Sequence, residues 1–326
     1  MKFGRNRVSG TSGSLSSSPH GRSIGIALVV LLAIYLLICL ILGWYWSREP
    51  DLEPLAPTPG PDTTLVVGST TARTVHGLMY TLLQKPGGFT GNDIAPPGLW
   101  MDNMPNWEFG VLVQVRDMSR AMRRDMARSQ SQSQEDPDLA LAEPRFNFDN
   151  NSWMFPGSES EYRSGLRALN RYIRRLEAGE ANFYARADNL ASWIGDSSTR
   201  LGSLSQRLSA SVGRAEVTED GRQYRKTPWL EIDDVFFEAR GSAWALLHLM
   251  RAVEHDYADV LERKNAMTSL QQIIRELEAT QRPLRSPVIL NGSGMGVLAN
   301  HSLVMANYLS RANAAMIDLR RLLEQG

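Results

Sequence analysis

The sequence contains a single cysteine and very few lysines. Its one cysteine, Cys39, excludes an intramolecular disulfide and a thiolate metal cluster, because each needs more than one thiol in the chain. Acidic residues are as numerous as basic ones, at 35 each. The chain therefore lacks the excess of positive charge that nucleic-acid binding requires, and no nucleic-acid partner is expected.

Short motifs that mark common catalytic sites are also missing. The sequence has no His-Glu-x-x-His, no Gly-x-Ser-x-Gly and no Ser-x-x-Lys. Adjacent carboxylates such as Asp233 and Asp234 are too frequent in proteins to indicate a glycosidase. The sequence identifies no catalytic residue and no cofactor, and it favours a protein that is not an enzyme.

One long apolar run lies near the N-terminus. Residues 24–46 carry no charge, and a helix rising about 1.5 Å per residue would carry them across the roughly 30 Å hydrocarbon layer of a membrane. A cleavable signal peptide has a shorter apolar core and a small-residue cleavage site, whereas this run ends in Trp44-Tyr45-Trp46. We predict one retained transmembrane helix.

The charges on either side of this run predict its orientation. Four basic residues and no acid precede it, whereas acids outnumber Arg48 just after it, at Glu49, Asp51 and Glu53. Because positive flanks stay in the cytoplasm, we predict a single-pass protein of the bacterial inner membrane with a cytoplasmic N-terminus and a periplasmic C-terminal domain.

The remaining sequence divides by composition. Residues 1–23 form a Ser- and Gly-rich tail that we expect to be disordered, and residues 47–62 form a Pro-rich linker. Residues 63–326 show helical rather than alternating spacing, which predicts an all-α periplasmic bundle with long helices. A polar region at 129–157 is a candidate boundary between two parts of this domain.

Two segments of the domain are informative about packing. From 166 to 211, residues recur in steps of three and four, and all but Glu180, Ser197 and Ser211 are apolar. Such a stripe fits packing within the chain's own bundle, which we favour, or an intermolecular coiled coil that would serve self-association or a protein partner. We expect a break near Gly179. A second segment, 239–245, is rich in Ala, Gly and Ser and would let another helix approach closely.

Histidines and acids on the helix predicted over about 233–263 are the best candidates for a metal site. His255 and Asp259 are four residues apart and could share an ion or a proton. His248 and His255 are seven apart, about 10.5 Å along a helix, so that one ion could hardly bind both. Structural roles for these histidines are favoured over metal binding.

A glycine-rich loop precedes the last predicted helix. Gly292, Gly294 and Gly296 could hold an anion at a helix N-terminus, with Asn300 and His301 as the nearest side chains. The dinucleotide pattern fails because a valine replaces its third glycine, and the nucleotide P-loop fails because no Gly-Lys-Ser/Thr follows. A tight turn between helices is favoured over a cofactor or ligand site.

Five segments of the sequence carry a resemblance when they are taken together. They are 85–89 (KPGGF), 102–110 (DNMPNWEFG), 239–248 (ARGSAWALLH), 286–292 (SPVILNG) and 300–303 (NHSL). In these segments the chain resembles an uncharacterised proteobacterial family, known only as a domain of unknown function. The resemblance implies a Gram-negative inner-membrane protein, and it implies no activity, cofactor or catalytic residue.

Two hypotheses of function follow from these patterns. The first is a periplasmic helical scaffold or partner-binding protein of the cell envelope, anchored by residues 24–46. The alternative is an envelope enzyme or small-ligand sensor that uses the loop 291–296 and the nearby histidines.

The predicted topology can be tested with reporter fusions. We expect a reporter that is active only in the periplasm to be active when it is fused after Gly326, because the basic flank holds the N-terminus in the cytoplasm. Activity of a cytoplasm-only reporter at that position would contradict the orientation.

Overall fold

The computed structural model of the protein describes residues 19–55, 66–128, 134–218, 221–284, 286, 288–292 and 299–325. Most of the predicted tail, residues 56–62 of the predicted linker and residues 129–133 of the polar region lie outside these ranges. The described part contains ten α-helices and one antiparallel hairpin. The predicted all-α class is confirmed, with the hairpin as its one addition.

The first five helices run from the apolar segment into the domain. Their bounds are Pro19–Trp46 (α1), Ser69–Gln84 (α2), Asn103–Ala121 (α3), Pro137–Phe146 (α4) and Ser158–Glu177 (α5). Helix α3 continues into one π-helical segment, Met122–Met126.

The second half of the chain contains five more helices and the hairpin. Their bounds are Ala187–Ser209 (α6), Arg214–Thr218 (β1), Gly221–Arg225 (β2), Ile232–Asp256 (α7), Ala258–Arg263 (α8), Met267–Thr280 (α9) and His301–Glu324 (α10). The strands pair in register from Arg214 with Arg225 to Thr218 with Gly221.

Helix α1 contains the apolar run. Within Ser23–Trp46, the mean hydropathy of an 18-residue window reaches 3.2, and the helix is long and apolar enough to cross a membrane. Nearly all of its described side chains are exposed, so α1 is not a core helix of the domain. A single apolar helix that could anchor the chain in a bilayer is therefore present.

The apolar stripe 166–211 is split between α5 and α6. The chain turns between them at Gly179, whose positive φ of 75° favours glycine, so the expected break is confirmed. Leu169, Ile173, Leu190 and Ile194 are all buried in the domain's own core. The stripe packs within the chain, and the predicted self-association through 166–211 would need side chains that this fold buries.

The center of the domain is a close pair of helices, α3 and α7. A Cβ atom on Gly241 would overlap the backbone of Trp107, and one on Gly110 would overlap the backbone of Glu238. Trp107 and Trp244 pack against each other beside this contact, with ring centroids 5.1 Å apart. The small residues of 239–245 therefore allow the close helix approach that their composition predicted.

Buried apolar residues from both sides of the polar region 129–157 belong to one hydrophobic cluster. Helix α2, which precedes this region, contacts both α5 and α7, which follow it. Helix α10 packs along α6 and α9, so the end of the domain completes the same core.

The packing of the stripe leads to a prediction for Leu190, which is fully buried on α6. We expect Leu190→Ala to lower the free energy of unfolding by about 2 to 5 kcal/mol, because it leaves a cavity in the core. Denaturant unfolding of the full chain in detergent would measure the loss. Ile317→Ala, at an exposed position on α10, is the matched control and should stay within about 0.5 kcal/mol of the wild type. Dissociation of an oligomer without loss of monomer stability would contradict intramolecular packing.

Candidate functional site at the end of the apolar helix

Arg240 lies at the point where α7, α9 and the segment after α1 meet. It is the only charged residue between Glu238 and Arg251 on α7, and it is 5% exposed. Its Nε donates to both carboxylate oxygens of Glu49 at 2.8 Å. This buried guanidinium is therefore neutralised by a residue 191 positions earlier in the chain.

The other donors of Arg240 are directed at the end of α9. Nη1 donates to the carbonyl oxygens of Thr280 and Arg282, at 2.6 and 3.1 Å, and Nη2 donates to that of Gln281 at 3.3 Å. The last carbonyls of a helix lack partners within the helix and carry partial negative charge, so a cation is favourable there. Arg240 thus connects the C-terminus of α9 to Glu49.

The segment that carries Glu49 follows α1 directly and packs onto the domain. Leu52 and Leu55 contact the hydrophobic core. Leu55 lies so close to α2 that a Cβ atom on Gly77 would be 2.8 Å from the Leu55 Cβ. Residues 47–55, the first part of the predicted linker, therefore contact the domain through Glu49, Leu52 and Leu55.

The last two turns of α1 also contact the domain, through one face. Cys39 is buried, and Gly43 and Trp46 on the same face are partly covered. A Cβ atom on Gly43 would lie 3.6 Å from Pro97, and one on Gly87 would lie 2.7 Å from the ring of Trp46. The loop between α2 and α3 therefore covers this face, while Leu40, Ile41 and Trp44 stay exposed.

A buried ion pair holds the loop that contacts α1. Lys85 Nζ lies 2.6 Å from Glu108 Oε1, and the two side chains are at most 1% exposed. The Glu108 carboxylate also accepts hydrogen bonds from the backbone N–H groups of Thr90 and Gly91 and from the Thr90 hydroxyl. Burial raises the pKa of the Glu108 carboxyl, while Lys85 and Thr90 act in the opposite direction. The pair fixes the start of the loop against α3.

The structure describes only the two ends of the predicted glycine loop, residues 290–292 and 299–301, and hydrogen bonds join them: the Gly292 N–H donates to the Ala299 carbonyl, and the His301 N–H donates to the Leu290 carbonyl. The Asn300 Oδ1 accepts the Leu303 N–H at 2.8 Å and caps α10, while its Nδ2 donates to Asn291 Oδ1 and to the Gly292 carbonyl. His301 Nδ1 accepts the Leu290 N–H at 3.1 Å. Both predicted ligand side chains thus hold the two described ends of the loop together. Gly294 and Gly296 lie outside the described residues.

His301 also lines a cavity of about 320 Å³ beside Arg240. Phe236, Met305 and Tyr308 supply much of its apolar wall. Burial lowers the pKa of His301, which favours its neutral form. Arg240 lines a second cavity as well, of about 590 Å³, on the side of residues 47–52.

The predicted metal candidates His255 and Asp259 lie on different helices. Helix α7 ends at Asp256, Tyr257 is not helical, and Asp259 belongs to α8. His255 Nδ1 lies 3.3 Å from the Thr70 hydroxyl, and the neighbouring Asp256 accepts both the N–H and the hydroxyl of Thr71. Among the described residues, no group of three or more His, Cys, Asp or Glu side chains is placed to hold a metal ion.

His248, the third candidate histidine, is a core residue. It is 4% exposed and packs edge-on against Trp244, with ring centroids 4.6 Å apart. Burial lowers the pKa of His248 to about 4, so the ring is neutral at pH 7.

No pattern in the sequence assigns Arg240, Glu49, Lys85 or Glu108 to a functional site. A signal for Arg240 was present, because a lone charge within a long run of small and apolar residues must be buried and must find a partner. The identity of that partner depends on tertiary contacts, which the helical period does not encode.

These contacts define a class of protein in which the last turns of one apolar helix, long enough to cross a membrane, pack against an all-α domain. The chain belongs to the family described as "Uncharacterized protein conserved in bacteria (DUF2333)", whose model matches residues 20–326. The resemblance to a domain of unknown function is thereby confirmed. No curated protein and no solved structure matches the chain.

The ion pair between Glu49 and Arg240 leads to a prediction. We expect Glu49→Gln to lower the free energy of unfolding by about 1.5 to 3 kcal/mol, because it leaves a buried guanidinium without a counter-charge. Hydrogen exchange of residues 47–55 in the full chain should become faster. The matched control is Asp51→Asn, which removes an exposed carboxylate from the same segment. Equal exchange in the two variants would contradict a fixing role for Glu49.

Proposed function

We propose that the protein is a membrane-anchored helical scaffold of the cell envelope, which binds a protein partner on the periplasmic side of the inner membrane. The observation that carries this proposal is the double attachment of the domain to α1, through the Glu49–Arg240 pair and through the face of Cys39, Gly43 and Trp46. A domain attached in this way keeps one orientation relative to the span, which suits a module that presents a surface to another protein.

The same contacts support retention of α1. Cleavage of α1 as a signal sequence would remove the residues that cover the loop between α2 and α3, and it would expose apolar side chains there. Arg48 supports an interfacial position for the end of the helix, because its guanidinium stacks 4.3 Å from the ring centroid of Trp44. The basic tail favours a cytoplasmic N-terminus and hence a periplasmic domain.

The charge of the domain supports a protein rather than a nucleic-acid partner. Four of the 35 basic residues precede the apolar run, which leaves 31 basic against 35 acidic residues beyond it. Many of the arginines are already paired. Arg123 binds Glu135 and Glu143, and Arg200 and Arg207 bind Asp117 and Glu238.

A second candidate function is the sensing of a small ligand. It is favoured by the 320 Å³ cavity, where His301 and Arg240 meet an apolar wall next to the glycine loop. Because Arg240 also binds Glu49, a ligand in this cavity would act on the segment that follows α1.

Isolation of the tagged full chain from detergent extracts would test the scaffold. We expect a discrete protein to co-purify in constant ratio with the wild type and with Asp51→Asn, and to be recovered several-fold less with Glu49→Gln, because that variant loses the fixed orientation of the domain.

Thermal-shift measurements with a panel of envelope metabolites would test the alternative. A ligand-induced shift without any co-purifying protein would favour the sensor and contradict the scaffold. A Gly294→Ala protein that keeps the wild-type melting temperature but fails to complement a deletion would also favour the sensor and contradict the scaffold. A loop that only makes a turn would not need space beside Gly294 for a ligand.

A further inference from the structure

Eight of the fifteen large exposed apolar side chains described outside α1 lie in three loops. These loops are 94–100, 153–155 and 229–230, and they contain every exposed tryptophan of the described domain. Phe155 is fully exposed, and Trp229 and Leu230 are about three-quarters exposed, at 73% and 75%. Such a concentration on an otherwise well-packed domain marks an interaction surface.

The three loops lie at the same end of the domain as the end of α1. Loop 94–100 contacts α1 through Pro97. Asn92, just before this loop, donates to the Ser152 carbonyl at 2.9 Å and thereby places loop 153–155 beside it. Trp229 and Leu230 line one cavity with Asp102 and Asn103, which follow loop 94–100 directly.

The position of loop 94–100 along the axis of α1 indicates whether the loop faces water or the bilayer. Pro97 and Trp100 share a cavity with Cys39, Leu40 and Gly43 of α1. Cys39 precedes Trp46 by seven residues, about 10 Å along the helix axis. When α1 spans a bilayer with its Trp and Tyr residues at the headgroups, this loop lies at or below the headgroup level.

We propose that loops 94–100, 153–155 and 229–230 insert into the periplasmic leaflet and form a second contact of the domain with the bilayer, beside α1. This proposal rests on the membrane anchoring proposed above. The residue types suit the interface, where Trp rings are most favourable and where Leu, Ile and Phe side chains can reach the acyl chains.

The charges near these loops specify the kind of lipid surface. Asp102 and Asp233 lie beside Trp229 and Leu230, and Asp234 accepts a hydrogen bond from Asn106 nearby. Carboxylates at this level would be repelled by anionic headgroups. These carboxylates offset the cations nearby, Arg48 at the end of α1 and the exposed Lys226 just before Trp229, so the contact depends on apolar insertion into a net-neutral lipid surface, and salt should change it little.

Site-directed spin labelling of the full chain in phosphatidylcholine liposomes would test the proposal. In a Cys39→Ala background, single cysteines would replace Leu99, Phe155 and Leu230 in the three loops. Leu32→Cys within α1 reports the membrane interior. Ile317→Cys on α10 is the matched apolar control. His301, at the start of α10, lines a cavity with Phe236 near the start of α7. Ile317 lies about 24 Å further along the axis of α10.

We expect the labels in the loops to collide with oxygen several-fold more, and with a water-soluble nickel complex several-fold less, than the label at Ile317. If the loop labels are as accessible to nickel as the label at Ile317 while the label at Leu32 stays shielded, the second contact is overturned and the anchor stands. Such a result would also point to a protein partner for this surface. Exposure of Leu32 itself to nickel would instead overturn the anchoring. Loss of loop shielding in 1 M salt would contradict apolar insertion.

Discussion

The buried guanidinium of Arg240 connects the parts of this molecule that its sequence keeps far apart. A charge in the core of an all-α domain is stable only when it is paired and hydrogen-bonded, and here the guanidinium donates to Glu49 after α1 and to three carbonyls at the end of α9. The close approach of α3 and α7 at Gly110 and Gly241 holds the helix that carries it. Through these contacts, the apolar helix, the end of α9 and the loop between α2 and α3 hold one another in position.

Polar contacts with buried partners occur at both ends of the bundle. At the end near α1, Lys85 and Glu108 close the loop that covers Cys39. At the opposite end, Asp256 accepts two hydrogen bonds from Thr71 and so joins the end of α7 to the start of α2. Between the two ends the interior is mostly apolar, with Trp107, Trp193 and Trp244 among its largest buried side chains. Apolar burial supplies the stability, while the end contacts select which helices become neighbours.

Features that depend on local spacing could be predicted from the sequence. The apolar run, the all-α class, the break at Gly179 and the small residues 239–245 each follow from composition or helical period. The β-hairpin was not predicted because its strands are short and polar, with little alternation to indicate them. The end of α7 before Tyr257 was also missed, since the apolar period continues through it. The partners of Arg240 and Lys85 depend on tertiary packing, and the roles of Asn300 and His301 in joining residues 290–292 to the start of α10 became visible only with their hydrogen bonds.

The packing of α10 along α6 has a consequence for the order in which the molecule is made. The last helix of the chain covers an apolar face that was synthesised about a hundred residues earlier, and it completes the core that α2 begins. In the topology proposed above, insertion of α1, which precedes all of these helices, would come first, and the domain would cross the membrane while its core is still open. Folding would then be a late event on the far side, and a chain that ends before His301 would leave α6 uncovered at the membrane surface.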